Sequence, residues 1–205
     1  MRRMKLTILF ATFMLAGSVV AQNMRTLFLN APDSIMPLLT YNNRADCIDF
    51  IDAGMRARVT NRLDGYSELL SISDDYMELR STDSSTMQMK LLPLGNDTVV
   101  AVVRTVCAEA CDSRLTFYNR DWTMAASPAF VRPAVEEFFV ATDSLPSLLA
   151  RCDIYLVQLR LSTADNSLRA EYTMPHYMSE EDSALVAPKL QPIVYRWQGG
   201  AFVKE

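Results

Sequence analysis

The stretch at residues 98–118, "TVVAVVRTVCAEACDSRLTFY", decides the fold. Its first half is apolar without alternation, which predicts a central strand covered on both faces. From residue 115 to residue 118 a second strand is predicted. Between the two strands, "CAEAC" places Cys107 and Cys111 on either side of a three-residue connection. The stretch therefore predicts a β-hairpin with one cysteine at each end of its loop.

Short strand-like segments continue on both sides of this hairpin. In order along the chain they are "YSELLSIS", "DYMELRS", "TMQMKLLPL", "DIYLVQLRLS", "SLRAEYTM" and "PIVYRWQGGAFVKE". Small polar turns separate the first three, and Gly199 and Gly200 supply the positive φ angles of a closing hairpin. Successive strands joined by short turns predict an antiparallel β-meander.

Helical patterns lie before and after the predicted strands. Asn42 or Asn43 is predicted to cap a helix that carries Cys47. Pro133 and Pro146 stand where the first turns of two short helices tolerate proline. Ser179 opens a segment typical of a capping box. The predicted fold class is α+β, a mainly antiparallel meander with several short helices packed on it.

A faint internal repeat suggests an alternative organisation. The segment "DSIMPLL" at residues 33–39 resembles "DSLPSLL" at residues 143–149, and each precedes a cysteine and then strands. Two tandem helix-plus-sheet units would explain this pattern, with a sub-boundary near residues 127–128. The simpler prediction is a single domain over residues 22–205.

The first 21 residues are typical of a secretory signal peptide. A basic start, "MRRMK", precedes an apolar run that ends in small residues, with cleavage predicted after Ala21. The run is short for a membrane span, so no transmembrane segment is expected after cleavage. The mature chain of 184 residues is expected in the periplasm or at the cell surface.

Charge and composition narrow the classes of partner. Removal of Arg2, Arg3 and Lys5 from 20 basic residues leaves 17 against 24 acidic ones, a net charge of −7. Such a chain repels nucleic-acid phosphates, and no nucleic-acid partner is expected. Half of the residues are hydrophobic, which indicates a globular chain rather than a disordered one.

The cysteine pair allows several interpretations. Opposed residues of an antiparallel pair have Cα atoms ~4.5–5.5 Å apart, within the reach of a disulfide. An oxidising compartment favours a disulfide between Cys107 and Cys111. Two free thiols, a redox-active pair and a metal site are the alternatives, although the CxxC spacing and four zinc ligands are absent. Cys47 and Cys152 are expected to be buried in helices, and their pairing stays open.

Few residues could carry catalysis. His176 is the single histidine, it lies beside Pro175, and no nucleophile-elbow pattern accompanies it. No glycine-rich phosphate loop is present either. No cofactor, metal ligand or catalytic residue is therefore predicted, and the sequence favours a non-enzymatic protein over an enzyme.

Four segments carry a resemblance to a known family. They are the mature start "QNMRTLFLNAPDSIMPLLT", the helix "NNRADCIDFIDAG", the block "LTFYNRDW" and the closing "PIVYRWQGGAFVKE". Together they resemble uncharacterised exported proteins of Bacteroides-type bacteria, classed as a domain of unknown function. The resemblance covers essentially the whole mature chain, and it implies a location rather than an activity.

Two functional hypotheses lead, ahead of a third in which the protein is an inhibitor that inserts a hairpin such as Gly199-Gly200 into an enzyme cleft. The first is a non-enzymatic binding or envelope-associated protein whose partner is an envelope protein or an extracellular ligand. Tyr118, Trp122, Tyr195 and Trp197 are its candidate surface contacts, because aromatic residues are enriched at binding hot spots, and simple sheet packing is the alternative role of these rings. The second hypothesis is a small exported thiol-redox protein or enzyme that uses Cys107 and Cys111.

Overall fold

The computed structural model describes residues 23–126 and 129–205. The predicted signal peptide and the predicted sub-boundary at residues 127–128 lie outside these residues. Within them, the chain forms a six-stranded sheet A and a four-stranded sheet B, both antiparallel, with short helices around them. The predicted α+β class is confirmed.

Sheet A is a meander in which each strand pairs with the next along the chain. Its strands are β1 (Ala57–Thr60), β2 (Tyr66–Ile72), β3 (Tyr76–Thr82), β4 (Ser85–Leu94), β5 (Asp97–Cys107) and β6 (Cys111–Tyr118). The sequence pattern predicted all of these except β1. That strand has only four residues, "ARVT", too few for alternation to distinguish it from a loop.

Strand β5 is covered on both faces, as its apolar run predicts. Val99, Ala101 and Val103 pack into a core shared with sheet B. Val100 and Val102, which point the other way, pack into a second core under the N-terminal helices. All five side chains are at most 1% exposed. Sheet A is therefore the middle layer of a helix–sheet–sheet arrangement.

The N-terminal layer consists of α1 (Met24–Leu29), α2 (Tyr41–Asp52) and the turns between them. Met87 and Met89 lie under this layer, so these two methionines are core residues. The cap of α2 is Thr40, whose hydroxyl accepts from the N–H of Asn43 at 3.1 Å. The predicted cap at Asn42 or Asn43 is wrong. Asn43 occupies the third helical position and bonds back to the N–H of Thr40.

Sheet B follows in the second half of the chain, in the order β10-β9-β8-β7. Its strands are β7 (Val157–Leu161), β8 (Ser167–Tyr172), β9 (Ile193–Gln198) and β10 (Ala201–Lys204). The closing β9–β10 hairpin turns at Gly199 and Gly200, with φ angles of 59° and 97°, as predicted. Side chains from both sheets fill one core between them.

Short helices connect and flank these strands. They are α3 (Leu145–Leu149), α4 (Glu180–Val186) and 3₁₀ turns at Val135–Phe138, Met174–His176 and Ala187–Lys189. The predicted start of α4 is confirmed, because the Ser179 hydroxyl accepts from the N–H of Asp182 at 3.2 Å. Pro146 lies in the first turn of α3, as predicted. Among the described residues, no helix has the length and apolar character that a membrane crossing needs.

Side chains of sheet A cap the free edge of β7. Three N–H groups of β7 donate to them, namely Val157 to Asp112 Oδ1 (3.1 Å), Leu159 to Ser113 Oγ (2.9 Å) and Leu161 to Gln88 Oε1 (2.9 Å). An unpaired strand edge otherwise offers a template for pairing with another chain. These polar residues therefore fix sheet B on sheet A and close one of its edges.

Candidate functional site

A disulfide closes the hairpin between β5 and β6. Cys107 and Cys111 are direct register partners at the ends of these strands, and their sulfur atoms are bonded. The predicted pairing is thus confirmed, and the alternatives of two free thiols and a metal site at this pair fall away. Glu109 stands at the exposed tip of the three-residue loop. The covalent bond closes the loop, and within it the Ala108 N–H donates to the carbonyl of Ala110 at 3.0 Å.

Thr173 ties the stapled hairpin to sheet B. Its hydroxyl donates to the carbonyl of Cys111 at 2.6 Å and accepts from the Cys111 N–H at 3.2 Å. The N–H of Thr173 in turn donates to the carbonyl of Leu156 at 3.0 Å. Thr173 is buried at 6% exposure, so water competes little for these bonds. The hairpin end is therefore anchored at two levels, by the disulfide and by Thr173.

The anchored hairpin forms one wall of a cleft of about 520 Å³, here called the hairpin cleft. Strands β7 and β8 and the region from the Met174–His176 turn to Pro192, including Ser183 of α4, supply the rest of its lining. Its polar lining residues are Glu109, Gln158, Glu171, Thr173, His176, Ser183 and Gln191. A second depression of about 500 Å³ adjoins it and shares Pro175, His176 and Ser183 with it.

The lining offers groups that can form hydrogen bonds. The Glu171 carboxylate accepts a hydrogen bond from Nε of Arg169 at 2.6 Å, so its negative charge is partly compensated. Glu109 is exposed and forms no ion pair with a described residue. Over residues 23–126 and 129–205, no group of three or more metal-ligating side chains converges. The cleft thus presents amide and carboxylate groups that can hold a polar ligand.

The four predicted aromatic contacts do not form one surface. Tyr118 and Trp122 pack against each other, with ring centroids 6.0 Å apart, at the margin of the N-terminal core. The Trp197 indole is half-buried and donates to the carbonyl of Pro93 at 2.6 Å. Tyr195 is 5% exposed and lies in the core between the sheets. It is therefore not a surface contact, because alternation along β9 turns its ring inward.

The remaining cysteines are free and protonated. Cys47 is buried in α2, where its thiol contacts the carbonyl of Ala57 at 3.7 Å. Burial raises the pKa of Cys47 to about 11. Cys152 is half-buried just after α3, and burial raises its pKa as well. Neither has the lowered pKa of a reactive thiol.

Sequence reasoning found the hairpin but not the cleft around it. Thr173 is 62 residues away from the cysteine that it binds, and no spacing rule links the two. Glu171 and Gln158 are direct partners on β8 and β7, where alternating polar residues read as a solvated face. Only the hairpin "CAEAC" itself carried a signal.

The fold and the stapled cleft define a two-sheet α+β domain. The family described as Protein of unknown function (DUF3256) matches residues 16–202, and the chain belongs to this family. A solved structure, that of a domain of an uncharacterized protein from Porphyromonas gingivalis W83, is similar with 26% identity and a TM-score of 0.77. The match covers 91% of this chain and 99% of that one. No curated protein matches the chain.

Proposed function

We propose that the chain is an exported, non-enzymatic binding module that holds its ligand in the hairpin cleft. The observation that carries this proposal is the double anchoring of the cleft wall. The disulfide closes the loop, and Thr173 fixes the backbone of Cys111 on both its donor and its acceptor side. A wall fixed in this way loses little entropy when a ligand binds, which favours affinity.

The lining indicates the chemistry of the ligand. Glu109 and Gln191 offer carboxylate and amide oxygens around the opening, and Gln158 Oε1, which accepts from Arg160 Nη2 at 3.3 Å, can accept a second hydrogen bond. A ligand rich in N–H or O–H donors, such as an extended peptide or a short glycan, would satisfy them. The cleft volume of about 520 Å³ is within the usual range of sites for small molecules.

Two features support an exported location. The first 21 residues have the pattern of a cleaved signal peptide. A disulfide in a hairpin is typical of proteins from oxidising compartments. We therefore propose that the protein works in the periplasm or at the cell surface, where an envelope protein or an extracellular ligand would be its partner.

The test is a titration of the isotope-labelled mature chain followed by NMR. Tetraglycine and chitobiose serve as the peptide and glycan probes. We expect one of them to shift the side-chain amide signals of Gln158 and Gln191, and a Gln158→Leu variant to weaken binding at least fivefold. Gln198→Leu, at the exposed end of β9 and outside the cleft lining, is the matched control. If neither probe shifts a cleft residue, the proposal fails for both ligand classes.

A thiol-redox role for the same cysteine pair is the second candidate, because Cys111 lines the cleft. Thiol mapping of exported, non-reduced protein separates the two functions. A Cys107–Cys111 bond that resists mild reduction supports a purely structural role. A bond that opens readily to a reactive thiolate supports redox chemistry instead.

A further inference from the structure

Two arginines on sheet A face each other without a carboxylate between them. Arg104 in β5 is the direct register partner of Arg114 in β6, an arrangement of like charges that disfavours strand pairing. Among the described residues, Arg104 makes one polar contact, Nη2 to the carbonyl of Ile35 at 3.2 Å. Arg114 forms no ion pair there, and the nearby Asp112 is bound to Arg132 at 2.7 Å. Positive charge is thus left uncompensated in an acidic chain.

Arg104 also lines an apolar pocket of about 200 Å³ on the same face of sheet A. Residues 35–39 form one wall, and the buried side chains of Leu79 and Met87 are also part of the lining. Val106, which is 62% exposed, stands at the pocket and leaves apolar surface open to solvent. The pocket shares no lining residue with the hairpin cleft.

The volume sets the size of an occupant. At ~30 Å³ for each water-sized group, the pocket holds roughly six or seven heavy atoms. Its apolar walls suit an aliphatic chain, which gains free energy by leaving water. The guanidinium of Arg104 is a planar fork that matches the geometry of a carboxylate.

We propose that this pocket binds the tail of an aliphatic monocarboxylate of about seven or eight carbons, so that about six or seven tail carbons fill the volume and the carboxylate lies at its mouth beside Arg104. The tail lies between residues 35–39 and the side chains of Leu79 and Met87. The carboxylate accepts from Arg104, whose Nη2 is held by Ile35 while Nε and Nη1 donate to no described residue. Arg114 adds positive charge beside it and relieves its own repulsion when the anion binds.

The test is isothermal titration calorimetry of the mature chain with octanoate as the probe. We expect saturable binding, with acetate and octan-1-ol each at least tenfold weaker, because the first lacks the tail and the second lacks the charge. An Arg104→Gln variant should lose at least tenfold in affinity for octanoate. Arg58→Gln is the matched control, since Arg58 does not line the pocket and stacks on Tyr66 (4.0 Å to the ring centroid).

A second variant keeps the proposal open to refutation if Arg104→Gln folds poorly. Val106→Asp, at an exposed position, places a negative charge at the pocket and should abolish octanoate binding. The fold should persist, because the register partner Asp112 is already paired with Arg132, and circular dichroism checks this. Equal affinity for octanoate and octan-1-ol would overturn the role of Arg104. Octanoate binding that survives Val106→Asp would overturn the pocket itself.

Discussion

Ser113 and Leu159, 46 residues apart, are joined inside the core, where the Ser113 Oγ accepts from the Leu159 N–H at 2.9 Å. The same hydroxyl lies 2.7 Å from the Oγ1 of Thr105 on the neighbouring strand. One buried side chain thus connects two strands of sheet A to the edge of sheet B. This contact is the middle one of the three side-chain hydrogen bonds that cap the free edge of β7.

Replacement of Ser113 tests the strength of this connection. Ser113→Ala leaves the N–H of Leu159 buried without a partner, which should lower the free energy of unfolding by about 1–3 kcal/mol. Urea denaturation measures the difference. Thr163→Ala, in an exposed loop with no hydrogen bond to a described residue, should change it by less than about 0.5 kcal/mol. Equal midpoints for the two variants would show that the cap contributes nothing.

Loss of the disulfide should lower the free energy of unfolding only modestly. The bond closes a loop of five residues, for which the chain-entropy relation gives about 2 kcal/mol. The double variant Cys107→Ser, Cys111→Ser should therefore unfold at lower urea but keep its circular dichroism spectrum, because Thr173 still holds the backbone. Its midpoint should not respond to reductant, whereas that of the wild type should. A variant that fails to fold would contradict this expectation.

The two free thiols should differ in reactivity. In native, non-reduced protein at pH 8, iodoacetamide should label Cys152 faster than Cys47, because Cys47 is fully buried and its pKa is raised to about 11. Both should react slowly compared with an unfolded reference. Digestion and mass spectrometry give the labelled fraction at each site with time. Fast labelling of Cys47 would mean that α2 opens readily from sheet A.

Lys90 provides a test of a buried charge. It is 2% exposed, and its Nζ lies 2.8 Å from a carboxylate oxygen of the half-exposed Asp75. Asp75→Asn should lower the free energy of unfolding by about 2 kcal/mol, because it leaves the buried ammonium of Lys90 without its partner. The loss is moderate because Asp75 is partly exposed. Lys90→Met should lie within about 1 kcal/mol of the wild type. Thermal unfolding of the two variants measures which one loses more stability. Equal losses in Asp75→Asn and Lys90→Met would refute the prediction.

The same pair predicts a pH dependence. Burial pulls the pKa of Asp75 upward, but hydrogen bonds from Lys90 and Ser73 outweigh it and hold the pKa below its ordinary value. The stability from this group is therefore present above the ordinary pKa of ~3.9 and is lost as the pH falls through the lowered one. Between pH 6 and pH 3, Lys90→Met should lose less stability than the wild type. A parallel decline would assign acid sensitivity to other carboxylates.

The local pattern of the chain predicted the strands well and the packing between them poorly. Strand β5 was predictable because five consecutive buried residues need cover on both faces, and the register of Cys107 and Cys111 follows from a three-residue loop. Tyr195 was misjudged because both sheets have alternating strands, and alternation alone does not say which face is covered. Gln88 and Ser113 read as solvent-facing polar residues until the second sheet is placed on them.

The polar caps on β7 also restrict where the length of this protein can change during evolution. A side chain in a strand points to the opposite face after a shift of one residue. A single insertion within β4 or β6 would turn Gln88 or Ser113 away from sheet B and leave a buried N–H unsatisfied. Relatives should therefore gain and lose residues in the connections, as in the loop around Gly95, while these strands keep their length and the two sheets keep their alignment.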